Sequence, residues 1–254
     1  ASGHQLIVAN PRNLRLISSL ATDAIFDLGT VSEQVQSLPK ALGRPVAAIN
    51  GDFFVINRGP YQGDPRGLHI VQGELVSGPS GGPCFWMDAA GQPQMGEVQS
   101  RFVVGWPDGT TIPFGLNEER SNLGAVLYTP RLGPTTRTQD GVDLVLESPG
   151  AGPWLPLRSG QDYVARVREV REVSAPCGTP LLPDTLVLSL GSELAVTLPP
   201  MTRGMALRLA TATAPDLSQV RTAIGGGPLL VVRGQVRSWC PPQPRHPRTA
   251  IGWN

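Results

Sequence analysis

The sequence predicts an α+β fold rich in β-structure: mixed sheets with a few short helices in a single domain. Three observations carry this. Glycine (30) and proline (26) are spread along all 254 residues, so turn signals recur throughout the chain. Between them lie short Val/Leu/Ile runs of strand length rather than long helical periods. And 254 residues are ample for one β-rich domain with its own hydrophobic core.

The elements follow in order. "HQLIVANPRNLRLISSL" alternates and carries two Pro/Asn breaks, which reads as strand, turn and strand. "TVSEQVQSLPKALGR" reads as a helix. Thr30 and Glu33 have capping-box spacing, Val31, Val35 and Leu38 share one face, and Pro39 limits the run. "PVAAINGDFF" is apolar and small or β-branched until it reaches a glycine, so a buried strand is expected to deliver Asn50, Gly51 and Asp52 to its end. "LHIVQGELV" reads as a hairpin, "CFWMDAAGQPQMG" as another, and "RFVVGWPDGTTIPF" as two strands about a Pro-Asp-Gly turn. "AVLYTP", "VDLVLE", "DTLVLSLG", "MALRLAT" and "GPLLVVRGQV" are further strands. In "YVARVREVRE", Val alternates with Arg or Glu, which marks a strand with one wet face. "SWCPPQPRHPR" is a Pro-rich loop.

Charge excludes some partners. With 21 basic and 20 acidic residues, net charge +1 and no long run of one sign, neither nucleic acid nor a charged membrane surface is favoured. No apolar stretch approaches the ~18–20 residues that span a bilayer. The opening "ASGHQLIV" shows no signal peptide, as a mature exported protein would not. Cys84, Cys177 and Cys240 fit no zinc spacing and allow either one disulfide with a free thiol or three thiols. The histidines, His4, His69 and His246, are far apart, and no metal ligand set is legible.

Three stretches could carry chemistry. "AAINGDFF" presents Asp52 as an acid or base beside Gly51, although Asn-Gly is also common in plain turns. "IGGGPLLV" offers Gly226 and Gly227, whose N–H groups could face an anion or merely bend into a strand. "RHPRTAIG" offers Arg248 and Thr249 for a phosphate and His246 as an acid or base, or else a surface loop. The pentapeptide RTAIG occurs at Arg221 and again at Arg248, but the flanks do not align, so it is no structural repeat. Glu118–Glu119 in "LNEER" reads as a solvated turn.

Taken together, "AAINGDFF", "GLHIVQGELV", "LNEERSNLGAVLYTPRLGPTTRT", "LPDTLVLSLGS", "AIGGGPLLVVRGQV" and "HPRTAIGW" stand in an order that resembles the phosphodiester glycosidase family. The resemblance runs from about Leu6 to Asn254, nearly the whole chain. It implies hydrolysis of the sugar C1–O bond of a glycosyl-1-phosphodiester in a cell-wall, exopolysaccharide or glycan substrate, by an exported or periplasmic protein. In that chemistry the leaving phosphate needs charge stabilisation, for which Arg248 and the glycine-loop amides are the candidates. A carboxylate acts as base or nucleophile toward C1; Asp52 is the first candidate and Asp64 in "GDPRG" the second. Asn50, Gly51, His246 and Thr249 are expected to line the sugar side. Many family members have Gly where Asp52 stands, although Asp is also tolerated there. They also continue past "PRTAIG" with an acidic-Gly-Gly-Gly-Ser segment that nothing here matches. The expectation is therefore a domain lacking its C-terminal segment, with that segment removed or supplied by a second chain. No cofactor is implied, though a divalent cation could join a phosphate site.

Two other readings use the same residues. A binding module could hold a sugar phosphate without turning it over. An amide or ester hydrolase could arise by self-processing, with its nucleophile at the start of a second chain after Asn254.

Overall fold

The computed structural model describes residues 7, 14–22, 25, 28–150, 152–173, 178–237 and 248–253. Helix α1 (Val31–Ser37) begins as its cap predicts. The Thr30 hydroxyl accepts from the Glu33 amide at 3.2 Å, and Glu33 Oε2 accepts from the Thr30 amide at 2.7 Å. No residue of α1 is buried, so local bonds rather than core packing define it. Leu38 leaves helical geometry immediately before Pro39.

The strands then follow almost without interruption. They are β1 (His69–Val71), β2 (Glu74–Ser77), β3 (Pro83–Met87), β4 (Pro93–Glu97) and β5 (Gln99–Gly105). Next come β6 (Thr111–Pro113), β7 (Gly115–Leu116), β8 (Ala125–Tyr128), β9 (Val142–Glu147), β10 (Asp162–Glu172) and β11 (Leu186–Leu190). After the short α2 (Ser192–Ala195) come β12 (Ala206–Ala214), β13 (Thr222–Gly225), β14 (Val231–Val232) and β15 (Gln235–Val236). The fold is β-rich with few helices, as the sequence predicts.

One sheet has the order β2-β1-β13-β3-β4, and a larger one β6-β5-β12-β10-β9-β11-β8-β7. All pairs are antiparallel except β7 with β8. The hairpin β1–β2 turns at Gln72 (φ 52°) and Gly73 (φ 88°), the left-handed pair of a type I′ turn, whose twist matches the strands it joins. Alternation then decides which face is buried. Ile70 of the smaller sheet and Leu68 just before it meet Val104, Leu144, Val167, Leu188 and Leu209 from the larger one in a single core. A second cluster on the far face of the larger sheet joins Tyr128, Leu132, Val145 and Val187.

Three expectations are corrected. Residues 45–50, read as a buried strand, form no strand, and Val46 is 72% and Ile49 59% exposed. An apolar, β-branched run becomes a strand only where a neighbour pairs with it, and among the described residues none does. Residues 14–20, read as a second strand, are likewise irregular; much of the strand expected before them lies outside the described residues. "GPLLVVRGQV" is not one strand but the hairpin β14–β15, bent at Arg233 and Gly234, both with positive φ.

Candidate functional site

The irregular path through residues 44–50 ends in a loop that closes on itself. Val55 N–H donates to Asp64 O (2.9 Å), Gly63 N–H to Val55 O (2.9 Å) and Arg66 N–H to Phe53 O (2.8 Å). These bonds carry Asp52 back to Gly67, just ahead of β1. From the other side Gly225, the last residue of β13, is tied to the same place by its N–H bond to Leu68 O at 2.6 Å.

Both glycines are there for room. A Cβ on Gly225 would lie 2.3 Å from Asp52 Oδ2, and one on Gly67 would lie 2.9 Å from it. No side chain fits at either place while Asp52 keeps its position. Within this cradle Asp52 Oδ1 accepts from the Phe53 amide at 2.6 Å. Oδ2 is buried and has no hydrogen-bond partner among the described residues. Burial disfavours the charged form and pushes the Asp52 pKa up to about 6, with the Phe53 amide and then the nearby Gly225 amide, which itself donates to Leu68 O, pulling the other way.

Asp52 forms part of the wall of a cleft of about 420 Å³. Arg66, Ser80 and Cys84 supply its other polar side chains, and Phe53, Phe54 and Ile56 an apolar side. Phe53, Phe54 and Ile56 are all exposed. The Cys84 Sγ–H donates to Gly82 O at 3.5 Å. Burial, and then the charge of Asp52, push the thiol up to about 11, so Cys84 stays a neutral thiol rather than a thiolate nucleophile.

The structure gathers some of the sequence candidates and separates others. Asp52 and Gly226 line the cleft. Gly227 packs beside it, a Cβ there falling 3.3 Å from the Phe53 ring. Gly51 sits against Ile224, 3.1 Å from where its Cβ would be. Asn50 and Thr249 meet directly, the Thr249 hydroxyl donating to Asn50 Oδ1. Next to them Trp253 packs edge-on against Phe85 of β3, ring centres 5.8 Å apart. The second RTAIG segment thus docks beside the loop that carries Asp52, whereas the first is β13 itself. Arg248 does not line the cleft, and His246 lies outside the described residues.

Asp64 does not line the cleft either. It is 7% exposed, and its Oδ1 has no partner among the described residues. Burial and the charges of Glu118 and Glu119 push its pKa up to about 8. Among the described residues no group of three or more His, Cys, Asp or Glu side chains is placed to hold a metal ion, and no helix is long and apolar enough to cross a membrane.

Sequence reading missed Arg66, Ser80, Cys84, Gly67 and Gly225. They come from three separate segments, and none carries a periodic signal. The glycine-flanked stretches "GDPRG" and "GPSGGP" were the available clue, since each brings a polar side chain beside backbone that can approach a ligand closely.

No protein-family profile and no curated protein sequence matches this chain. Its fold is shared with a hypothetical protein from Synechocystis, at a TM-score of 0.58 and 18% identity over 89% of this chain and 37% of that one. A chain from Burkholderia pseudomallei K96243 described as "Putative exported protein" is also similar in structure, with a TM-score of 0.46 and 18% identity over 73% of this chain and 42% of that one. This chain therefore spans less than half the length of either.

Proposed function

We propose that the cleft hydrolyses a glycosyl-1-phosphodiester, with Asp52 as the base or nucleophile at the sugar C1. One observation carries the reading: a buried carboxylate oxygen, Asp52 Oδ2, that is unpartnered in a glycine cradle at the wall of the cleft. A group held this way is poised for an incoming ligand rather than for the fold. In the hydrolytic step the C1–O bond breaks with its electron pair going to the phosphate oxygen. The oxygen of water ends on C1, and its proton is taken up by the Asp52 carboxylate. A phosphomonoester leaves, and it needs less protonation than an alkoxide would.

The chemical class is supported by the resemblance in sequence order set out above. That resemblance also supports an exported protein acting on cell-wall, exopolysaccharide or other glycan material.

The test is release of methyl phosphate from the methyl phosphodiesters of α-glucose, α-galactose and α-N-acetylglucosamine 1-phosphate, followed by ³¹P NMR. Wild-type protein is expected to turn over at least one of them. Asp52→Asn is expected to lower the rate about 100- to 10,000-fold with an unchanged circular dichroism spectrum. Unchanged turnover in Asp52→Asn would remove Asp52 from the mechanism. Saturable binding of all three diesters without turnover would replace hydrolysis with a sugar-phosphate-binding role.

A further inference from the structure

The reading above places C1 at Asp52 but leaves open what receives the phosphoryl group. The cleft has a second polar side, built from residues that neither the sequence order nor the resemblance singles out. Arg66 and Ser80 line it. The Arg66 guanidinium makes no hydrogen bond or ion pair with any described residue. Other arginines of the molecule are engaged: Arg120 with Asp140, Arg131 with Glu74, Arg166 with Glu147 and Arg171 with Glu169.

Arg66 acts electrostatically on Asp64. Asp64 is pushed up to about 8, so it is largely protonated at neutral pH and offers the guanidinium little countercharge. Beside Arg66 runs the loop from Ser80 to Pro83. Gly81 has a φ of +82°, and neither the Gly81 nor the Gly82 amide donates to a backbone carbonyl among the described residues. Open space surrounds Gly81, and Ser80 Oγ stands 3.8 Å from a Cβ built on Gly82. A guanidinium fork and a hydroxyl lining one cleft are donors suited to a tetrahedral oxyanion.

We propose that Arg66 and Ser80 form the phosphoryl subsite of this cleft, and that the sugar ring lies on the Phe53, Phe54 and Ile56 side. The assignment rests on the hydrolase reading for its substrate class. It moves the anion-binding role from Arg248, which the resemblance implies, to a residue that lines the cavity. An exposed aromatic and aliphatic surface suits the apolar face of a sugar ring, while the diester's charge is met on the other side. Arg66 touches the leaving group, so its loss falls both on binding and on stabilisation of the developing phosphate charge.

The experiment uses methyl phosphate as probe, because binding is then read without turnover. A ¹⁵N–¹H titration of the whole chain is run on wild type, Arg66→Ala, Arg66→Lys and Arg248→Ala. The expected result is saturable shifts at Ser80, Gly81 and Gly82. Affinity should fall about 10- to 100-fold in Arg66→Ala, partly recover in Arg66→Lys, and fall less in Arg248→Ala. A larger loss in Arg248→Ala than in Arg66→Ala overturns the assignment, as does saturation that spares residues 80–82. The two readings fail separately. Binding at Arg66 in a protein that turns over no diester keeps the subsite and sinks the hydrolase. Turnover that is indifferent to Arg66→Ala keeps the hydrolase and sinks the subsite.

Discussion

Asp52 and Asp64 sit on the same closed loop, and burial drives both toward the neutral acid. They differ in what faces them. Asp64 is raised further because Glu118 and Glu119 add like charge to burial, yet it lines no part of the cleft. Asp52 is raised less, but its unpartnered oxygen lies between two glycines at the cleft wall. The size of the pKa perturbation therefore does not separate the two; open space beside the carboxylate does. Burial perturbs both, but only Asp52 has a ligand-sized volume next to it.

The sharpest way to break this contrast is to exchange the defects. Asp52→Asn should lose turnover by about 100- to 10,000-fold, whereas Asp64→Asn should stay within a few-fold of wild type. Equal losses in the two variants would erase the distinction.

The next effect concerns the cradle. Gly225→Ala places a methyl group 2.3 Å from the present position of Asp52 Oδ2, so the carboxylate must swing outward into water. Asp52 must be ionised to act, so wild-type kcat/KM should rise with pH through about 6. In Gly225→Ala the residual activity should be at least tenfold lower, and its acid limb should move toward the ordinary 3.8. An acid limb that stays near 6 would mean that the cradle does not set the titration.

Stability supplies the third test. The native pKa of Asp64 lies above the unfolded value, so the native state holds the proton more tightly between 3.8 and about 8. Its contribution is present in full below that window, falls as pH rises through it, and is level above. Asp64→Asn removes this slope and should stabilise the protein by on the order of a few kcal/mol at pH 9 relative to wild type, read from urea midpoints across pH. A midpoint difference between the two proteins that does not change with pH would contradict it.

The smallest effect belongs to α1. Thr30→Ala deletes the cap bond and should cost about 1 kcal/mol, with no change in turnover, because no residue of α1 is buried.

Much of the fold was legible because its signals are local. The Thr30–Glu33 box and the Gln72–Gly73 turn each bind neighbours in sequence, and each took the expected form; β10 is a strand with one wet face, but Val164 and Val170 lie exposed while Ala165 and Val167 are buried, with a register shift after Val167. "PVAAINGDFF" misled because an apolar β-branched run looks the same whether or not another strand pairs with it. The site divides the same way. Asp52 and Gly226 were marked by glycine and acid in suggestive contexts. Arg66 and Ser80 owe their place to the closure of the 52–67 loop and to the docking of β13, which no window of sequence displays.

The position of β13 also has a consequence for how the protein comes into being. It is the central strand of the smaller sheet, wedged between two hairpins made far earlier in the chain, with Ile224 opposite His69 and Gly225 opposite Cys84. Each hairpin can close within about 1–10 μs once it is clear of the ribosome. The strand that unites them arrives roughly 150 residues later, a wait on the order of ten seconds at ordinary translation speeds. During that interval the β1 and β3 edges are unpaired templates for other chains. The floor beneath Asp52 is laid by that same late strand, so a growing chain has no cradle for this carboxylate until the sheet closes.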